Sequence, residues 1–447
     1  MRSAAGAGAL LAALTMGSQA FPGKFNLFQQ MMLRWRGLHP YNAVHVTSVP
    51  VAYAEDVVSA RIGGVLEHWG IGGHALNAAH RRYVYRGGTS APPLRSLACP
   101  SAAEADLRLV TEIEHELNLA FDIGAPLRFF AIFWPGGFML GLAYDHFIAG
   151  GDSIAGLLGA IVQALTGDDV GATTGDARPT LYPPTYRALV RSRTRWFVSA
   201  LAAMPALARE SKRAVRVKDR DADDTRNAYA LIRVAPTELA ALRRHARDFG
   251  VTLHDLVIAL LLLALSPLAA ARRGEHTRRE IGVASIVNIR KDFEGINATA
   301  FGQFLASMRV THTVPDGISL ADLARDVRNA TLPIKRNHLY LRTLFGLAAA
   351  SCAWPFMSHA QRNRFYSKHY PAWAGISMLD VDPLWPPRLP SPSRYTRAVS
   401  TGPLTPAVLA ISTTAQSMAI GVSWRPSVLP DGFARDLQAR VEQCARE

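Results

Sequence analysis

An apolar run in the first third of the chain breaks at Asp145-His146, passes through Gly150-Gly151, Asp152 and Ser153, and resumes as an amphipathic segment. These types at this spacing could move a proton. An imidazole titrates near neutral pH, and a ring set where a hydrophobic strand ends needs a partner or a purpose. Among the 14 histidines of the chain most will be satisfied structural groups, so His146 stands out by its position and not by its type. Gly150 and Gly151 permit backbone angles that other residues resist, and would let the loop turn sharply beneath the ring. Asp152 or Ser153 would then cap the helix "IAGLLGAIVQAL" by accepting from its first free N–H groups. A serine nucleophile has little support: there is no G-x-S-x-G elbow, and Ser153 lies in "GDSIA", where a cap explains it.

The elements around this break follow from patterning. "LRFFAIFW", the turn "PGG" and "FMLGLAY" predict a hairpin of two largely buried strands, whose exit carries His146. Before it, "YNAVHVTSVPV" alternates like a half-buried strand, and "AEDVVSARIGGVLEHWG" reads as a helix ended by Gly70, followed by a loop rich in Pro, Ser and Gly. A second lobe opens near Ala228 with the strand "AYALIRV" and the helix "PTELAALRRHARDFG". "TLHDLVIALLLLAL" starts on charged ground, with Thr252 and Asp255 in near capping-box spacing, and is too short for a bilayer span, so it reads as a buried core helix. "IGVASIVNIR", "FLASMRVTHTV", "PAVLAISTTA" and "MAIGVSWRP" are strand-like, and "DGFARDLQARVEQCARE" closes the chain as a helix. Strands and helices intermix in both halves, which argues for α/β or mixed α+β lobes. The expected organisation is an N-terminal extension at 1–24, an N-terminal lobe at 25–166, a basic crossover at 167–227 and a C-terminal lobe at 228–447.

With 447 residues and 49% hydrophobic content, the chain has the material for two lobes with a large core. Its net charge of +14 favours anionic partners: phosphate groups, acidic carrier proteins or anionic lipid. Sequence-specific reading of nucleic acid is not expected, because no helix-turn-helix, RNA-recognition or zinc-finger pattern organises the arginines. Arg187, Arg191 and Arg195 recur four residues apart in the crossover and form a candidate stripe for binding an anionic substrate, or simply a solvated helix face. Cys99, Cys352 and Cys444 lie far apart with no ligand spacing, so neither a metal site nor a disulfide framework is expected. The opening "MRSAAGAGALLAALTMGSQAFPGK" fits a cleavable signal peptide ending at Ser18-Gln19-Ala20, a loose helix, or a start codon placed too early. The expected location is cytoplasmic with peripheral contact to an anionic membrane, and export is the alternative.

The run "FDIGAPLRFFAIFWPGGFMLGLAYDHFIAGGDSIAGLL" resembles the segment around the HHxxxDG motif of the chloramphenicol acetyltransferase-like superfamily, which includes peptide condensation domains and wax ester synthase/diacylglycerol acyltransferases. "PYNAVHV", "GVTLHDLVIALLLLAL", "VNIR", "FGQFLASMRV" and "IGVSWRP" extend the likeness over most of the chain after about residue 25. The resemblance implies two chloramphenicol acetyltransferase-like lobes, each a mixed sheet with helices, and a tunnel between them. It implies acyl transfer from a thioester, on coenzyme A or a carrier protein, to a hydroxyl or amine acceptor, with His146 as the general base and no cofactor. Asp145 stands for the first motif histidine and Gly151 for the motif glycine. Gly150 stands where the family has an aspartate that pairs with an arginine of the second lobe, here Arg290, and Asp152 is placed to take over that pairing. Ser377, in "GISML", falls on the segment that lines the tunnel and is a candidate donor to the developing oxyanion. No carrier or adenylation segment is legible, which points to a free-standing enzyme. A relative that keeps the fold and binds a carrier without turnover is the reading from another class.

Overall fold

The computed structural model describes residues 20–77, 82–86, 93–167, 180–182, 185–217, 224–270, 278–293 and 300–447; the signal-peptide reading of residues 1–19 lies outside them. In chain order the elements are β1 (Ala20–Lys24), α1 (Leu27–Arg36), β2 (Asn42–Val49), α2 (Glu55–Trp69), β3 (Gly73–Asn77), β4 (Arg82–Arg86), β5 (Leu94–Ala98) and α3 (Ala102–Asn118). The hairpin β6 (Leu127–Trp134) and β7 (Gly137–Asp145) delivers the chain to α4 (Gly151–Leu165). Three short helices follow, α5 (Tyr186–Ser192), α6 (Thr194–Ala202) and α7 (Met204–Arg213). The second half runs β8 (Ala228–Val234), α8 (Pro236–Asp248), α9 (Leu253–Ala270), β9 (Ile281–Asn288), β10 (Leu305–His312), α10 (Leu320–Arg336), α11 (Arg342–Ala353), α12 (His359–His369), β11 (Ala374–Asp380), β12 (Tyr395–Val399), β13 (Ala407–Thr413), β14 (Met418–Trp424) and α13 (Gly432–Arg446).

Two mixed sheets carry the fold. The first has the order β12-β2-β7-β6-β5 and the second β10-β9-β11-β13-β14-β8, while β1, β4 and β3 form a small third sheet. In the first sheet the hairpin turns at Pro135-Gly136, where Gly136 has φ +97, a conformation a side chain resists. Strand β2 is buried along nearly its whole length, on both faces. The half-buried strand expected there is therefore corrected, and the reason is α3. Its Leu109, Ile113 and Leu117 recur every four residues and pack with Val44 and Val46, while Ala43 and Val49 face the opposite layer with α2 and α4. Helix α3 lies in the region read as a loop. Ser101 caps it, accepting from the Glu104 N–H at 3.2 Å, and that Ser-x-x-Glu spacing was available in the sequence.

In the second sheet β9 alternates: Ile281 and Val283 enter the core formed with α8, α9 and α13, and Ala284 and Ile286 face a cavity on the other side. Helix α9 is long and apolar enough to cross a membrane, with mean hydropathy 2.1, but it forms the centre of this core. The carboxylate of Asp255, fully buried, fixes its start by accepting from the Thr252 N–H and hydroxyl and from the Thr331 hydroxyl. One strand breaks the expected division of lobes. Strand β12, from the C-terminal half, pairs antiparallel with β2 and forms an edge of the first sheet.

Candidate active site

Strand β7 ends at Asp145, and the next five residues are held from three sides. The His146 N–H donates to the Tyr41 carbonyl at 3.0 Å, and the Gly150 N–H donates to the Gly302 carbonyl at 2.9 Å. From the second half of the chain, the Gln303 amide donates to the carbonyls of His146 and Ala149. His146 is thereby presented, 9% exposed, to the cavity. Gly150 has φ −79 and ψ 163, ordinary extended backbone, and Gly151 begins the helix, so the sharp glycine turn expected here is corrected. What Gly151 supplies is room: a Cβ there would lie 2.9 Å from Nη2 of Arg397 and 3.3 Å from His45. Gly151→Ala should displace that guanidinium and reduce turnover by roughly 10- to 100-fold with little change in melting temperature. Equal initial rates for the two proteins would refute this.

The N-cap of α4 is Gly150, which makes no side-chain bond; Asp152 and Ser153 lie in the first turn, where Asp152 Oδ1 accepts from the Ser153 N–H at 2.9 Å. Asp152 Oδ2 accepts from Arg290 Nε at 2.8 Å and from Asn288 Nδ2 at 2.9 Å, and Arg290 also lies over the Phe304 ring. The pair joins α4 to the end of β9. The Ser153 hydroxyl accepts from Arg290 Nη2 and from the Gly302 N–H, so it is fastened between the halves and is no nucleophile. Asp145 points away from the cavity. Its Oδ2 lies 2.6 Å from Arg36 Nε, and burial pushes its carboxyl up to about 6 against the pull of that arginine.

The cavity has a volume of about 450 Å3 and lies between one face of the second sheet and α1, α7, α11 and α12, with β12 and the start of α4 closing one side. Met32, Trp35, Leu305, Leu347 and Phe365 give it an apolar wall, and His146, Ser377 and Arg397 are among its polar lining. Arg397 was not singled out from the sequence. Strand β12 places it opposite His45 of β2, 4% exposed. Its Nη1 donates to the Ile411 carbonyl at 3.0 Å, its Nη2 to the Ser377 hydroxyl at 3.1 Å, and its Nε points to His45 Nε2 at 3.4 Å. His45 Nδ1 is bonded in turn to the Tyr395 hydroxyl at 2.7 Å. Because the Ser377 oxygen accepts from Arg397, its own proton is free to point into the cavity.

No protein-family profile matches the chain, and no curated protein matches it either. Solved structures do. The condensation domain from the Monacolin K polyketide synthase MokA superposes with a TM-score of 0.63 at 13% identity, over 96% of this chain and 97% of that one. Polyketide synthase associated protein 5 from Mycobacterium tuberculosis gives 0.64 at 13%, over 94% and 98%. The first condensation domain of the calcium-dependent antibiotic synthetase, in complex with substrate analogue 3a, gives 0.64 at 14%, over 95% of each chain. The chain has the chloramphenicol acetyltransferase-like fold. An epimerization domain from tyrocidine synthetase B shares it as well, with a TM-score of 0.61 at 12% identity, so the fold alone does not name the reaction.

Within this chloramphenicol acetyltransferase-like fold the electrostatics of the site are set by burial. Burial first, and the Arg397 guanidinium second, hold the His146 imidazole down to about 3. Burial, then Arg397 and His146, also keep His45 well below its usual range. Both rings are neutral near pH 7. The unfolded chain would protonate them from about pH 6.5 downward, so it binds more protons than the folded protein between about 6.5 and 3, and stability falls as pH drops through that window. Asp145, with its raised carboxyl, works in the opposite direction; comparison with His146→Gln isolates the histidine. The variant should lose less stability than the wild type between pH 7 and 4.5 in denaturant melts, and identical losses would contradict the burial argument.

The arginine stripe is not part of this site. Arg187, Arg191 and Arg195 are exposed on α5 and α6, the helix breaks at Arg193, and none of the three lines the cavity. It is α7 that forms a wall, through Met204 and Leu207. The crossover is packed down, with Trp196 stacked on His338 at 3.5 Å and Arg309 bonded to the Leu207 carbonyl.

Proposed function

We propose that this protein transfers an acyl group from a thioester, carried by coenzyme A or by a carrier protein, to a hydroxyl or amine acceptor, with His146 as the general base. The observation that supports this reading is an imidazole at the end of β7 that opens on an apolar cavity also lined by the Ser377 hydroxyl and the Arg397 guanidinium. The acceptor gives its proton to the imidazole as its oxygen or nitrogen bonds to the thioester carbonyl. The carbonyl electrons move to oxygen, where Ser377 donates a hydrogen bond. Collapse breaks the carbon–sulfur bond, and the imidazolium returns the proton to the departing thiolate. Proton transfer of this kind is worth roughly 10² to 10⁴-fold, about 3 to 5 kcal/mol, and alignment in the cavity and the oxyanion contacts supply the rest.

The test is a screen of purified protein against acyl thioesters and acceptors, read by mass spectrometry and by thiol release. Acceptor-dependent release supports the reading, and binding of carrier or thioester without release would favour a non-catalytic scaffold. Condensation domains among the structural neighbours favour a carrier-type donor. Outside the cavity, we assign the exposed Arg187, Arg191 and Arg195 to the phosphate of that donor's pantetheine arm. Their joint replacement by glutamine should raise KM for the donor several-fold, with kcat unchanged and the effect fading as salt rises. A KM that does not move would return them to a solvated face.

A further inference from the structure

Arg397 poses a question that the transfer reaction leaves open. Its guanidinium is buried, and every group it bonds is neutral: the Ile411 carbonyl, the Ser377 hydroxyl and the His45 ring. Among the described residues no carboxylate oxygen lies within 4 Å of it. Among the other buried arginines Arg309 meets Glu210, whereas Arg342 and Arg425 donate to the Leu339 and Gly402 carbonyls, and Arg342 also lines the cavity. Asp152 attracts Arg397 from a distance, but its carboxylate is engaged by Arg290 and Asn288. A buried cation without an ionic partner is costly and persists only where something else compensates it. Arg397 lines the cavity, so that partner can come from a ligand.

We propose that Arg397 receives the carboxylate of the acceptor, which makes the acceptor a hydroxy or amino acid with an apolar body. This deepens the acyl-transfer reading and rests on it for the word acceptor; the binding claim stands on the cavity alone. The acyl donor has its carboxyl tied up as a thioester and brings no anion to the reacting centre. A transient oxyanion is absent from the resting complex and cannot compensate Arg397 there. A carboxylate meets the guanidinium with two parallel hydrogen bonds, and the apolar wall of Trp35, Leu305, Leu347 and Phe365 takes the carbon chain. The Arg397 guanidinium lies against Gly151, the first residue of the helix that follows His146, and His146 lines the same cavity, so an acid anchored there shares the cavity with the imidazole.

Decanoate and methyl decanoate are the probes, titrated into the purified full chain by calorimetry. The wild type should bind decanoate at least tenfold more tightly than the ester, and this preference should persist at high salt, because a buried pair is little screened. Arg397→Gln should bring the ratio close to one, and His146→Ala should leave it as it is. A ratio near one in the wild type overturns the proposal, as does a folded Arg397→Gln protein that keeps the preference. Should that variant not fold, carbon NMR of carboxyl-labelled decanoate on the wild type decides. Pairing with Arg397 keeps the bound carboxyl ionised below its free pKa, whereas a carboxyl lodged only in the apolar wall titrates above it and overturns the proposal. These readouts need no turnover, so a protein that binds the acid but transfers nothing would sink the acyl-transfer reading and leave this one standing.

Discussion

His146→Ala should lose acyl transfer by roughly 10² to 10⁴-fold or more while the protein stays folded. The loop owes its shape to backbone groups: the His146 N–H on Tyr41, the Gly150 N–H on Gly302, and the Gln303 amide on two carbonyls. Alanine keeps all of these. The ring itself touches the Tyr41 and Tyr144 rings, at centroid distances of 5.3 and 5.8 Å, on a face already open to the cavity, so its removal enlarges an existing space. The check is single-turnover thiol release beside a melting curve. Wild-type rates from the purified variant would remove His146 from the mechanism, and a collapsed melting transition would show that the ring supports the fold.

Asp152→Asn should destabilise the protein by about 3 to 5 kcal/mol, because it leaves Arg290 largely buried without its carboxylate. The size of this effect separates two roles. Asparagine caps a helix about as well as aspartate, so a residue that served only the first turn of α4 would tolerate the change. The pair also ties the start of α4, and with it the histidine loop, to the end of β9, so the transfer rate should fall with the stability. Denaturant melts of Asp152→Asn, Arg290→Gln and the double variant measure the coupling between the two side chains. Normal stability and rate in Asp152→Asn would show that the pair does not hold the loop.

The hairpin that carries His146 was legible because an apolar run of strand length met a proline-glycine turn, a signal contained within 19 residues. The ends of α2 and α9 were legible for the same reason, since Gly70 and the Thr252–Asp255 spacing are local. What the sequence hid is decided by distant pairing. "RYTRAVS" has an arginine in the middle and nothing that names its neighbour, yet its register opposite β2 turns Arg397 into the buried wall of a cavity. The glycine pair misled because local reading credits glycine with backbone freedom, while the need at Gly151 is for space against a side chain 246 positions later in the chain. Asp152 could be read correctly as the partner of Arg290 only through the family resemblance; its own spacing suggested a cap.

The passage of β12 into the first sheet has a mechanical consequence. Five residue pairs, from Tyr395 opposite Thr47 to Val399 opposite Ala43, lace one half of the chain into the other beside the reacting groups. Swinging the halves apart like a jaw would have to unzip that ladder and pull Arg397 away from His45, so the passage is sewn shut along this flank. A molecule that enters the cavity must therefore come in away from this flank. Under the acyl-transfer reading, a crosslink between β12 and β2 should then leave the rate untouched.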